Sequence, residues 1–426
     1  MKEFRLTAPE GQWLSREEVS SAAADSVREY IGSGKKVLLI IPDYTRYHSN
    51  AGLIANTIYH TLEGGCHVDL LQALGTHFPM TEAECADMYG DIPFERFIPH
   101  NWRTDIVKLG QVPADFISEV SEGLWNSPID VEVNHLLVDG GYDLILSIGQ
   151  VVPHEVVGMA NQSKNIFVGV GGASMINSSH SLGAFYGMER MMGRDKTPVR
   201  QVFDYAKEHF LADLPLHFIL TVNTAPGGEI HTHGLFIGAD RSFFEDAVAL
   251  AQKTNLTLVD EPMKKVVVYL NAEEFKSTWL GNKSVYRTRM AIADGGELIV
   301  LAPGVETFGE DKEIDRLIRK YGYCGREKII QLCETEAELQ ANMSAAAHLI
   351  HGSSDGRFSI TYCTEKATKE EIEGVCFGYQ PYAEAVKRYD PNTLTDGWHT
   401  LPDGERFFYI SNPALGLWAH KAKFDT

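Results

Sequence analysis

Strand-length apolar runs recur along this chain, each closed by glycine, proline or a polar cluster and followed by helical spacing. Lys36–Pro42 and the runs over 67–74 and 144–152 predict buried strands. Between them, Ser15 with Glu18 fits a capping box, and 50–63 and the segment opened by Thr81-Glu82-Ala83-Glu84 predict further helices. A helix over 198–209, a strand over 216–223 and a helix over 240–254 follow. The composition breaks at Leu258-Val259-Asp260-Glu261-Pro262, which predicts a boundary between a domain over 1–260 and a second over 261–426. In that second part, strands are expected over 265–270, 296–302 and 359–363, with helical segments over 287–294, 311–321 and 335–350. Strands alternating with helices predict an α/β protein, with a parallel doubly wound sheet in the first domain and a smaller α/β second domain. Two such domains facing each other would place a site in the cleft between them.

Three polar signatures follow the carboxyl ends of apolar strands: Asp43-Tyr44-Thr45-Arg46, Gly75-Thr76-His77 and Pro153-His154. In open α/β sheets that edge is where ligands bind. The stretch from Pro153 to His180 adds Lys164, the loop Gly169-Val170-Gly171-Gly172-Ala173-Ser174, and His180 itself. Two imidazoles, an amine and a flexible backbone at a strand exit are more than packing needs.

With 58 acidic against 38 basic residues, net charge −20, the chain lacks the basic surplus that nucleic acid or an anionic membrane surface demands. The first residues are polar, apolar runs are too short to span a bilayer, and the six cysteines are scattered without a CxxC. A reduced, cytoplasmic protein is the expectation. Whether it assembles with copies of itself the sequence leaves open.

His77 and His154 suit a general acid and a general base, because imidazole titrates near working pH. His180 suits a metal ligand or a third proton carrier. Lys164 could bind a phosphate or bond covalently to a carbonyl or cofactor. The loop Gly169 to Ser174 lacks GxGxxG spacing and makes a weak phosphate cradle by itself. Two bases on opposite sides of one hydroxyl-bearing carbon are what a racemase or epimerase needs. His231 and His233 share one strand face, the spacing of a metal pair, but without a third ligand such a pair is more often structural.

Taken together, D-x-T-R at Asp43 and Arg46, G-T-H at His77, and P-H-x-x-x-G-x(5)-K-x(4)-G-V-x(9)-H over Pro153, His154, Gly158, Lys164, Gly169, Val170 and His180 resemble the nickel-dependent lactate racemase family. The resemblance implies a two-domain α/β fold with the site in the interdomain cleft. It implies a nickel-pincer nucleotide, a nicotinate-derived mononucleotide tethered by a thioamide to Lys164, with His180 completing the coordination of Ni. His77 and His154 would be the paired acid and base on the substrate hydroxyl, with Arg46 beside them. Hydride would leave the 2-carbon of a 2-hydroxy acid, giving a transient 2-keto acid, and return to either face. Asp43, Thr45, Gly169, Gly171, Gly172 and Ser174 would line the cofactor. Enzymes that make the cofactor would be partners.

This chain departs from the lactate-type pattern. Met159-Ala160-Asn161-Gln162-Ser163 stands where a serine and paired glycines are usual, and Tyr47 stands where proline is usual. The Tyr-Gln followed by lysine expected in the second domain is absent, and Lys283 or Tyr286-Arg287-Thr288-Arg289 takes its place. Lys283, Arg287, Arg289 and His100 are therefore the expected substrate contacts. With Asn101 they suit a substrate more polar than lactate, such as an aldonate epimerised at C2. Two other readings stay open: a zinc- or iron-dependent sugar-acid hydro-lyase with His77, His154 and His180 as ligands, and a non-catalytic two-domain protein closing on an anion.

Overall fold

The apolar runs of the first part of the chain build one seven-stranded sheet, seen in a computed structural model that describes residues 1–414 and 416–424. Its strands are β1 (Phe4–Thr7), β2 (Lys36–Pro42), β3 (His67–Ala73), β4 (Phe97–Pro99), β5 (Leu144–Gln150), β6 (Leu216–Thr224) and β7 (His231–Gly238). They lie in the order β1-β7-β6-β5-β2-β3-β4. The five from β6 to β4 run parallel, and β7 and β1 close one edge antiparallel.

Both faces of β2 are buried, which is why it reads as an unbroken apolar run rather than an alternating one. Val37, Leu39 and Ile41 share a core with Leu144, Leu146 and Ile148 and with Val19, Ala23, Ile54 and Ile58 of the helices Arg16–Val27 and Ala51–Leu62. The expected capping box at Ser15 is present, and Thr81 with Glu84 makes a second.

The chain divides into two units, residues 1–182 with 191–255, and residues 183–190 with 256 onward. The division falls a little before the expected 260, because Leu256–Val259 pairs in parallel with Leu417–His420. Residues 183–190 join the second unit for a similar reason: Ala184 lies in its core, and Glu189 pairs with Arg289 and Arg357. The second unit has its own six-stranded sheet, in the order Gly378–Pro381, Phe358–Thr364, Ile292–Ala302, Met263–Tyr269, Arg406–Ile410 and Gly397–Thr400, parallel except for the last.

Two expectations for that unit need correction. Residues 287–294 are not helical: a short helix, Lys283–Tyr286, ends there and Ile292 already enters a strand. The helix expected over 335–350 is broken into Ala337–Ala341 and Met343–His351, and a separate helix, Arg326–Thr335, precedes them. Glu336 and Asn342 leave helical geometry, and the Asn342 side chain accepts from the Ala345 N–H to restart the helix. The apolar spacing continues through both breaks and hides them.

The carboxyl end of β2 is tied down by the Tyr89 hydroxyl, which donates to the Pro42 carbonyl at 2.6 Å. Tyr89 ends the helix Glu82–Tyr89, and Gly52 lets that helix approach: a Cβ there would lie 1.8 Å from the Met88 carbonyl oxygen. Gly52→Ala should therefore force the two helices apart and cost ~1–3 kcal/mol, as overpacking does. A lowered urea midpoint with an unchanged slope is the expected readout.

Candidate functional site

Three neighbouring parallel strands, β5, β2 and β3, deliver the three polar signatures to the same edge of the first sheet. Asp43 follows β2 directly. Its Oδ1 accepts from the Thr45 N–H at 2.9 Å and the Thr45 hydroxyl at 2.5 Å, so it caps the short helical turn Tyr44–Ser49. Its other oxygen accepts from Nδ1 of His77 at 2.5 Å. Burial by itself would raise the Asp43 carboxyl. The hydrogen bonds from His77 and Thr45 and the charge of Arg46 outweigh burial and hold it at about 2. A carboxylate that accepts at Nδ1 fixes the His77 tautomer and leaves Nε2 to take a proton.

His154 leaves β5 in the opposite state. It is 8% exposed, and Nδ1 accepts from the Val156 N–H at 3.1 Å. Burial drives this imidazole well below its usual range, and the charges of Lys164 and Arg46 act in the same direction. A neutral ring whose Nδ1 accepts carries its proton on Nε2, so His154 is arranged to give one.

His180 sits on the helix Ala173–Tyr186, where its Nδ1 donates to the Ile176 carbonyl at 2.6 Å. Burial pushes its pKa down, so Nε2 is an unprotonated lone pair, the form in which imidazole binds a metal. The Lys164 amine is pushed down to about 8, chiefly by burial and then by the charge of Arg46. A lysine near that value holds a useful fraction of neutral, nucleophilic amine at neutral pH.

The glycine-rich loop is braced by protein groups. Gly75 of the His77 loop donates to the Gly169 carbonyl at 2.8 Å. Glu132 accepts the Ser174 N–H at 3.0 Å, next to the positive end of the helix that begins at Ala173. Side chains at the glycines would collide with protein: a Cβ on Gly169 meets Asn165 Oδ1 at 2.7 Å, on Gly171 the Phe167 carbonyl at 1.9 Å, and on Gly172 Glu132 Oε2 at 2.3 Å. These glycines are required by packing, whatever else they admit.

The expected substrate contacts fare unevenly. His100 is buried with both ring nitrogens in use: Nε2 donates to the Gly171 carbonyl at 2.9 Å and Nδ1 accepts from Asn134 at 3.0 Å. It braces the loop. Arg289, in the second unit, divides its fork among Glu189, the Ser353 carbonyl and Asp355. Arg287 donates to the Gly416 carbonyl at 2.9 Å, and the Lys283 amine lies 5.7 Å from the Phe275 ring centre.

Sequence reasoning missed Glu155, whose carboxylate lies 3.9 Å from His154 Nδ1 and whose charge favours the protonated forms of His154, Lys164 and His180. Its position beside His154 was the available signal. Among the described residues no three His, Cys, Asp or Glu side chains converge as a metal cluster. The three-histidine site of the hydro-lyase reading is therefore not formed, and His231 and His233 gain no third ligand. His231 stacks on Trp13, with ring centres 3.7 Å apart, and His233 hydrogen-bonds the Thr224 hydroxyl. Among the described residues no helix is long and apolar enough to cross a membrane.

Comparison with known proteins agrees with this architecture. Residues 16–193 match the family described as the lactate racemase N-terminal domain. A crystal structure of a Thermotoga maritima protein superposes with a TM-score of 0.80 at 23% identity, covering 97% of this chain and 100% of that one. The lactate racemase apoprotein from Thermoanaerobacterium thermosaccharolyticum superposes with a TM-score of 0.72 at 16% identity, covering 98% and 100%. No curated protein matches in sequence at a significant level.

Because Asp43 titrates at about 2 in the folded chain against 3.8 unperturbed, its bonds stabilise the fold above the unfolded value and are lost as pH falls through the folded one. Asp43→Asn should thus be less stable than the parent at neutral pH. The gap should close by about 2 kcal/mol as pH falls from about 4 towards 2. Urea unfolding at each pH reads it, and a gap independent of pH would contradict the assignment.

Proposed function

From the premise that residues 16–193 form the N-terminal domain of the lactate racemase family, we propose that this protein is a racemase or epimerase of a 2-hydroxy acid. One observation carries the reading. Each of His77, His154 and His180 uses Nδ1 on its own protein, so that all three Nε2 atoms remain for chemistry. Their states also differ as the reaction requires, one ready to accept, one ready to donate and one a bare lone pair.

The residues fit the cofactor of the family. Lys164, with its depressed amine, would hold the nickel-pincer nucleotide, and His180 through Nε2 would complete the coordination of Ni. When bound, the group supplies a hydride acceptor for the 2-carbon. The chain's own residues do the rest. His77, oriented by Asp43, takes the hydroxyl proton at Nε2 on one face. His154 returns a proton from Nε2 on the other. Running the reaction backwards exchanges their states, and the Glu155 carboxylate favours the charged form of His154 when it must take its turn. Arg46, beside Asp43 on the same turn, offers a fork for the substrate carboxylate.

The substrate is a small 2-hydroxy acid. Of the polar groups that favour a sugar acid, His100 and Arg289 are already committed to the protein. Arg287 also donates to the Gly416 carbonyl, so exposed Asn101 is the support that remains for an aldonate.

Co-expression with the enzymes that make the cofactor should give a mononucleotide-sized mass increase on the Lys164 peptide and about one nickel per chain. Lys164→Ala should lose the mass increase, and His180→Ala should keep it while losing nickel. A Lys164→Ala protein still carrying the nucleotide would refute the attachment. Incubation of the loaded protein with lactate, malate and aldonates in D₂O then reads the substrate, by inversion at C2. Turnover of lactate alone would remove the sugar acids.

A further inference from the structure

Arg200 is the largest fully buried side chain among the described residues, and its charge lies where two effects oppose it. It is desolvated, and it occupies the first turn of the helix Pro198–Phe210, beside the positive end of the helix dipole. Among the described residues no direct ion pair offsets either cost. The acceptors it reaches are all uncharged: the carbonyls of Met159 at 2.5 Å and Asn161 at 3.1 Å, the Gln162 amide oxygen at 3.5 Å and the Ser163 hydroxyl at 2.8 Å. The Ser163 hydroxyl in turn donates a hydrogen bond to Asp204, which with Asp195 is held by Arg241.

Those four acceptors span the segment that enters Lys164. Within it Asn161 and Gln162 have φ of 69° and 57°, two consecutive residues in a left-handed conformation that costs any residue with a Cβ. Their side chains help by closing locally, each amide oxygen accepting the next backbone N–H at 2.6 Å. The Asn161 amide also fills the space over Gly149, where a Cβ would come within 2.3 Å of it. Without a clamp on the carbonyls, an extended path would be cheaper. Strain held this firmly next to a reactive group is the pattern of a functional site.

We infer that Arg200 is a positioning residue: its guanidinium holds the left-handed Asn161–Gln162 pair and so fixes Lys164 at the start of the turn Asn165–Gly169. The purpose of that placement rests on Lys164 as the attachment point. The placement itself does not, and it can be read on the protein without nucleotide.

The test is the pH midpoint of Lys164 acylation, measured by competitive labelling and peptide mass, with near-UV circular dichroism as the control for folding. Asp43, Arg46, Glu155 and Arg200 all contribute charge at that amine, so a change of field must be separated from a change of position. Arg200→Met should raise the midpoint by about one pH unit or more, as the amine leaves its buried place. Arg200→Lys keeps the charge but cannot span Met159 and Ser163 together, so its midpoint should rise as well. Adding Asn161→Gly and Gln162→Gly to Arg200→Lys, which keeps the charge, should restore the midpoint, because glycine adopts the left-handed pair without a clamp. A rise confined to Arg200→Met would reduce Arg200 to a distant charge and overturn the proposal. So would glycines that fail to rescue folded Arg200→Lys. If Arg200→Met does not fold, Arg200→Lys with and without the glycine pair decides. Loss of the nucleotide adduct with an unmoved midpoint would count against positioning by Arg200 and leave the attachment to be judged by Lys164→Ala.

Discussion

The site depends first on the ladder that holds Lys36–Pro42 between two parallel neighbours. Parallel pairing brings three carboxyl ends to one edge, and burial on both faces removes any freedom to slip register. Asp43, His77 and His154 inherit their positions from those backbone bonds. The side-chain bond between Asp43 and His77 then joins two loops that lie 34 residues apart in the chain.

On that frame the electrostatics are a set of opposed terms. Burial favours neutral groups throughout, and at Asp43 it loses, because two donors and a nearby guanidinium favour the anion. At His154, His180 and Lys164 burial wins, and Glu155 moderates the outcome. The Asp43 carboxylate therefore sits, with the charges of Glu155 and Arg46, among histidines that burial holds towards the neutral form. A proton can then move between partners without a large change in solvation.

Much of this was legible in the sequence. Strand-length runs with polar exits located β2, β3 and β5 and their terminal residues, because the period of a buried strand and the punctuation after it are local properties. The order of those strands, and hence the meeting of Asp43 with His77, was not local. Arg200 escaped notice because a single arginine within an amphipathic helix looks like a solvated residue, and only the fold reveals the carbonyls it faces. His100 failed the other way. A histidine beside a proline and a tryptophan looked available to a substrate, while its two bonds, to Gly171 and Asn134, join segments far apart in sequence. The helix breaks at Glu336 and Asn342 were hidden by apolar spacing that runs through them.

The close approach of Asn161 to Gly149 also bears on how such a chain can change over time. One position has no side chain because the other's amide occupies its space, so neither can drift freely. A Cβ at residue 149 requires the amide of residue 161 to move aside or shorten, and an amide at 161 rests where residue 149 carries no side chain. The two positions are therefore coupled, and a change at one alters what the other can accept.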